Sequence, residues 1–142
     1  MVNTWLLIAA LIGVIAILLH ILTFERWIWA HLGYECFPAT PVGEPKVARS
    51  YYRIIWHSFT VFLLITIITC ILVGVGTLVP YGMLLIYFLL FFWILILVEI
   101  FFVMAMSLEP GDSYIKGLLR SFQWVFVLLI IISMYIGTTY TV

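Results

Sequence analysis

The chain has 142 residues, of which 67% are hydrophobic and 8% are charged, and its formal net charge is zero. Soluble domains are about half apolar and about a quarter charged, so this composition excludes an ordinary soluble globule. The zero net charge offers no basic surface for nucleic acid, and two cysteines are too few for a disulfide framework. We therefore expect an integral membrane protein with a single domain over residues 1–142.

Four apolar runs predict membrane-spanning helices, because each approaches or exceeds the roughly 20 residues that such a helix needs. The runs are too long for barrel strands and do not alternate in polarity. The first has no basic residues before it and no small-x-small cleavage site after it, so we expect a retained helix rather than a signal peptide. The predicted fold is an all-α, four-helix transmembrane bundle with spans at about residues 4–23, 54–75, 81–107 and 117–137.

The basic residues predict the orientation. Four of the six lie in the long connection 24–53 and two lie between the third and fourth spans, whereas the termini and the loop 76–80 have none. The positive-inside rule assigns both basic segments to the cytoplasm and both termini to the non-cytoplasmic side of a cell (inner) membrane. The six residues are Arg26, Lys46, Arg49, Arg53, Lys116 and Arg120.

The three connections differ in character. Residues 74–80 are short and contain glycine and proline, which predicts an antiparallel hairpin of the second and third spans. In the connection 24–53, the aromatic residues of 24–34 suit the membrane interface. Its proline-rich part, residues 36–45, is expected either to lie extended across the cytoplasmic face or to act as a flexible tether. Pro110 and Gly111 predict a turn in the third connection.

One polar residue interrupts each span, and all four fall in the cytoplasmic half. Placing an ionised side chain at the centre of a span costs roughly 2.5–3.5 kcal/mol, so these exceptions are the main candidates for a functional role. Random placement would scatter them along the helices. The four residues are His20, His57, Glu99 and Gln123.

Helical spacing indicates which polar residues share a face. Arg53 and His57 are four residues apart and face the same way, and Arg120 forms a stripe with Gln123. Glu25 follows His20 by five residues, which places it about 140° around a straight helix. The two side chains can point the same way only if the helix unwinds near Thr23. Otherwise Glu25 could pair with Arg53 or Arg120.

Several functions fit this polar layer. His20 and His57 could bind a metal or haem iron, with Glu99 or Glu25 as an additional metal ligand. Glu99 and the two histidines could instead relay protons, and His57 with Gln123 could hold the carbonyl of a quinone or lipid. The simplest alternative is a hydrogen-bond network that fixes helix register. The spacing matches no metal motif of the His-x3-His kind.

The segments His20-Ile-Leu-Thr-Phe-Glu25 and Arg53-Ile-Ile-Trp-His57 resemble an uncharacterised family of small four-helix bacterial inner-membrane proteins. Members of that family have His-x4-Glu at the end of helix one and Arg-x2-Trp-His at the start of helix two. They usually carry glycine before the glutamate, where this chain has Phe24. The resemblance covers about 40 residues of the first half. It implies that His20, Glu25, Arg53, Trp56 and His57 form a unit, but it implies no reaction.

The expected function is that of an accessory subunit of a larger membrane complex, whose polar layer binds a metal or haem. The small size and the uniform apolarity of the chain favour other membrane subunits, or further copies of the chain, as partners. The alternative is an independent membrane redox enzyme or a transporter of protons or small ions that uses the same layer.

Overall fold

The computed structural model is all-helical over the residues that it describes, 2–37, 43–77, 81–106, 113–115 and 123–139. Four long helices lie within these ranges, and a short 3₁₀ turn, Tyr34–Cys36, precedes the second of them. The prediction of an all-α fold is confirmed. The helices are α1 (Thr4–Leu22), α2 (Pro45–Gly74), α3 (Gly82–Met106) and α4 (Gln123–Thr139).

Among the described residues, three helical segments are long and apolar enough to cross a membrane: α2, α3 and α1 together with its extension to Ile28. The described part of α4 has 17 residues, and the first residues of the predicted fourth span, 117–122, lie outside the described ranges. Large apolar side chains such as Leu11, Ile55 and Phe91 are exposed on the helices. Apolar surface on this scale needs an apolar environment. A fourth span, insertion into the membrane and the side of the termini stay predictions.

The second helix is longer than the sequence predicted. It begins at Pro45 rather than near Ile54, and proline is favourable in the first turn of a helix because no partner is needed there for its missing N–H. Residues 45–53 of the predicted connection 24–53 are therefore helical, and the limits of the membrane span stay a prediction. Lys46, Arg49 and Arg53 lie on helix α2 instead of in a loop.

The chain does not lose its helical conformation near Thr23. It continues as a π-helical segment, Thr23–Ile28, in which the Trp29 N–H donates to the Phe24 carbonyl at 2.6 Å, five residues back. A π-turn inserts extra residues into a helix and changes the direction in which the following side chains point. The segment holds both Phe24 and Glu25.

The chain divides into two compact units, Val14–Ile65 and the unit of Met1–Gly13 with Thr66–Val142. In the latter, α3 packs against α4, and the buried Trp93 indole N–H donates to the buried Thr66 hydroxyl at 3.1 Å. The Asn3 N–H donates to the Gly74 carbonyl, and its side-chain amide donates to the Gly137 carbonyl, each at 2.7 Å. Asn3 thereby links the start of α1 to the ends of α2 and α4.

The end of α2 is set by Gly76 rather than by Gly74. Gly76 has φ 79°, a left-handed conformation that glycine adopts without steric cost. Its N–H donates to the Val73 carbonyl at 3.0 Å, and the Thr77 N–H donates to the Leu72 carbonyl at 2.9 Å. These two bonds form a Schellman motif, which satisfies carbonyls at the end of a helix.

The unit Val14–Ile65 contains the end of α1, the π-helical segment and the beginning of α2. Phe24 and Leu63 are buried in it. Five of the predicted site residues also belong to this unit, namely His20, Glu25, Arg53, Trp56 and His57.

Candidate functional site

An aromatic stack joins α1 to α2. The His20 ring stacks on the Trp56 indole, with centroids 4.2 Å apart and planes 8° apart, and the Phe24 ring stacks on it at 4.3 Å and 17°. His20 Nε2 also lies 3.5 Å from the Trp56 carbonyl oxygen. The Trp56 indole nitrogen is buried and has no hydrogen-bond acceptor among the described residues. Ring contacts therefore hold the Trp56 side chain in place.

Three polar side chains, Glu25, Arg53 and His57, lie next to the aromatic stack on the same two segments. The guanidinium Nη2 of Arg53 donates to both carboxylate oxygens of Glu25, at 3.2 and 3.3 Å. His57 Nε2 lies 3.5 Å from the same carboxylate, in a contact that is ionic only when the imidazole is protonated. The structure thus contains the Glu25–Arg53 pair that was the alternative to unwinding. His20 and Glu25 both contact α2.

Trp29 is the second aromatic anchor of the site. The guanidinium carbon of Arg49 lies 4.2 Å from the centre of the Trp29 ring, and that of Arg53 lies 4.9 Å from it. Cations within about 6 Å of a ring are attracted by the electron density of its face. Arg49 Nη2 also donates to the Trp29 carbonyl at 3.4 Å. One indole therefore holds two arginine side chains beside each other.

These side chains surround a pocket of about 470 Å³. Six of its seven lining residues come from α2 at intervals of one, three or four residues, so they occupy one face of the helix. The seventh, Trp29, lies across from them. Three of the seven carry a permanent positive charge. The lining residues are Trp29, Lys46, Arg49, Ser50, Arg53, Ile54 and His57; we call this the basic pocket.

Sequence reasoning missed most of the basic pocket. Lys46 and Arg49 were interpreted as loop charges that fix the orientation, and only Arg53 and His57 were recognised as neighbours. The signal was present in the sequence, since Lys46 and Arg49 continue the Arg53–His57 stripe backward by steps of four and three residues. This spacing can be interpreted as one helix face only when α2 is known to start at Pro45.

The predicted site residues are only partly brought together. His20, Glu25, Arg53, Trp56 and His57 are joined by the stack and the ion pair described above. Glu99 on α3 and Gln123, the first residue of α4, belong to the other unit, and both are exposed. Arg120 lies outside the described residues.

A metal centre finds no support in the described part of the chain. The predicted ligands were His20, His57, Glu99 and Glu25, but no group of three or more His, Cys, Asp or Glu residues that could hold a metal ion occurs there. The ring of His20 contacts Trp56 and also Phe59, the latter at 5.0 Å between ring centres. Binding of a metal or haem by His20 and His57 stays a prediction.

Comparison with known proteins gives no assignment: no protein family, no curated protein and no solved structure matches the chain. The resemblance in the first half is therefore untested.

Proposed function

We propose that this chain is a membrane protein that binds the phosphate-bearing headgroup of an anionic lipid in the basic pocket. The observation that carries the proposal is the convergence of Lys46, Arg49 and Arg53 on one pocket beside Trp29. The planar guanidinium of arginine matches the oxygen geometry of phosphate, and lysine adds a compact positive charge. Clusters of basic residues at the end of a spanning helix are typical binding sites for anionic headgroups.

The length of α2 supports a headgroup as the ligand. Its 30 residues extend about 45 Å, whereas the hydrocarbon core of a bilayer is about 30 Å thick. About ten residues must therefore lie beyond the hydrocarbon, and the charged residues between Pro45 and Arg53 are the ones suited to that place. The basic pocket then lies in the headgroup layer, where a tryptophan such as Trp29 is also favoured.

The walls of the pocket suit a lipid better than a small inorganic ion. A volume of about 470 Å³ falls in the range of small-molecule sites, roughly 300–1,000 Å³. Trp29 and Ile54 supply apolar surface beside the charges. Ile54 is also followed on α2 by exposed apolar side chains such as Ile55 and Val61, along which an acyl chain can lie.

The test measures binding of a fluorescent short-chain anionic phospholipid to the purified protein in mild detergent. Arg49→Gln removes a pocket charge and is expected to weaken binding about fivefold, since one basic residue near a membrane surface contributes about 1 kcal/mol. Arg26→Gln is the matched control, because Arg26 is exposed and does not line the pocket. It should change the affinity less than twofold.

Two results would contradict the proposal. One is an equal loss of affinity in the Arg49 and Arg26 variants, which would indicate attraction to the general surface charge. The other is competition by zwitterionic phosphatidylcholine as effective as that by phosphatidic acid or phosphatidylglycerol. Inorganic phosphate serves as a further competitor and separates recognition of free phosphate from recognition of a lipid.

The accessory-subunit role and the alternative of a redox enzyme or ion transporter stay predictions. No contact among the described residues favours either of them over the lipid site. A lipid-binding protein is compatible with membership of a larger complex, because an anionic lipid held between subunits strengthens their association.

A further inference from the structure

We infer that the basic pocket selects a phosphate monoester headgroup over a phosphodiester, and that Glu25 is an internal anion that competes with the ligand for Arg53. The inference rests on the proposed function, because it names the class of lipid phosphate that the same pocket takes. It is carried by the Glu25–Arg53 pair, which lies at the edge of the pocket.

The pocket brings three basic side chains together beside one carboxylate. Lys46, Arg49 and Arg53 line the pocket, and the carboxylate of Glu25 is bound by Arg53. The site therefore presents three cationic side chains, one of which, Arg53, is shared with a carboxylate. Glu44, which is close to Lys46 in sequence, is not among the lining residues.

The two classes of phosphate differ in charge and in the number of acceptor oxygens. A phosphate monoester carries about 1.5–2 negative charges at neutral pH and has three terminal oxygens. A phosphodiester such as phosphatidylglycerol carries one negative charge and has two. The monoester therefore brings the larger negative charge to the basic side chains of the pocket. It also offers an oxygen for each of the three basic side chains.

Glu25 restricts access to the third of these side chains. Its two oxygens take the Nη2 hydrogen bonds of Arg53 at 3.2 and 3.3 Å, and its Oε1 lies 3.5 Å from His57. A ligand that binds Arg53 through Nη2 must displace this carboxylate, and one that binds through the other guanidinium donors must approach beside it. The pair is half-exposed, with side-chain accessibilities of 46% for Arg53 and 34% for Glu25. Such exposed pairs are weak, so a doubly charged phosphate can displace the carboxylate.

The experiment compares phosphatidic acid, a monoester, with phosphatidylglycerol, a diester, in phosphatidylcholine nanodiscs that hold the purified full chain. The wild-type protein is expected to bind phosphatidic acid at least fivefold more tightly, the effect of about one additional charge near a membrane surface. Glu25→Gln is expected to tighten phosphatidic acid binding about fivefold or more. Glu35→Gln, which removes an exposed carboxylate outside the pocket, should leave it unchanged.

The direction of the Glu25→Gln effect is the most discriminating result of the test. A variant with a damaged site would bind phosphatidic acid more weakly, whereas the inference predicts tighter binding. Weaker or unchanged phosphatidic acid binding in a folded Glu25→Gln variant would overturn the role of Glu25. Should this variant fail to fold, competition on the wild-type protein replaces it. Glycerol 3-phosphate, a soluble monoester, is then expected to displace the lipid at lower concentration than glycerophosphoglycerol, a soluble diester, and equal potency would overturn the selection.

Failure of this inference is distinguishable from failure of the proposed function. Equal binding of phosphatidic acid and phosphatidylglycerol, both well above phosphatidylcholine, would contradict the selection of a monoester and leave the lipid site intact. Binding of all three lipids with the same affinity would contradict both.

Discussion

The stack on Trp56 depends on the ring of Phe24, and Phe24→Leu measures that dependence. Phe24 has no exposed surface, so leucine keeps the position apolar and filled while removing the ring. Two of the ring contacts are close: Trp56 at 4.3 Å and Trp29 at 5.5 Å between centroids. The contacts with Tyr52 and His57, at 6.3 and 6.1 Å, are longer.

The expected loss in the free energy of unfolding is about 2 kcal/mol. Each aromatic pair contributes about 0.5–1.5 kcal/mol beyond the area that it buries, and two close pairs are lost. A volume-conserving exchange in a packed site costs less than about 1.5 kcal/mol by itself. The contacts with Tyr52 and His57 add little, because their centroid distances lie near the upper limit of about 7 Å for such pairs.

The assay is reversible unfolding of the purified protein in mixed micelles of mild detergent and sodium dodecyl sulfate, followed by tryptophan fluorescence. Phe102→Leu is the matched control, because Phe102 is 64% exposed on α3 and the same atoms are removed. It should change the free energy of unfolding by less than about 0.5 kcal/mol. The reasoning would be refuted if both variants lost the same stability, since the stack would then contribute nothing measurable.

Three further predictions concern the turn after α2, the orientation and the histidines. Gly76→Ala should lower the free energy of unfolding by about 1–2 kcal/mol, because the φ of 79° is costly for any residue with a Cβ; an unchanged unfolding midpoint would contradict the turn geometry. A reporter active only outside the cytoplasm should be active when fused to Val142 and silent when inserted near Gly43, and the reverse pattern would invert the predicted topology. If a metal or haem binds, elemental analysis or a Soret band should detect it, and the double variant His20→Ala/His57→Ala should remove it; an unaltered metal content in that variant would exclude the two histidines as ligands.

The depth of the polar residues along each span was easier to predict than the contacts that their side chains make. Hydropathy gives the depth of a residue along a span but not the face on which it lies or the helix that it meets. By depth alone, Glu99 and Gln123 were grouped with His20 and His57. The structure describes Glu99 and Gln123 as exposed residues of the other unit. The short local pattern that links Arg53 to His57 was informative because both residues lie on one helix, where spacing fixes the face.

The start of α2 explains why the basic pocket was not predicted. A search for apolar runs finds the part of a helix that suits hydrocarbon, and it stops at the first charged residues. Residues 45–53 are polar enough to resemble a loop, but they belong to the helix, which begins at Pro45. Lys46, Arg49 and Arg53 consequently share one face of it. Only the folded arrangement shows Trp29 opposite that face.

The sequence by itself predicted an integral membrane protein, because hydrophobic residues at 67% and charged residues at 8% leave too little polar surface for an ordinary soluble fold. It also determined the all-helical architecture, since apolar runs of this length satisfy their backbone hydrogen bonds in lipid only as helices. The tertiary structure decided three features: the π-helical turn of α1 at Phe24, the pairing of Glu25 with Arg53, and the placement of three cationic side chains around one pocket. The second and third of these features depend on contacts between residues about 20 to 32 positions apart in the chain, and no local pattern contains the distances at which such side chains meet.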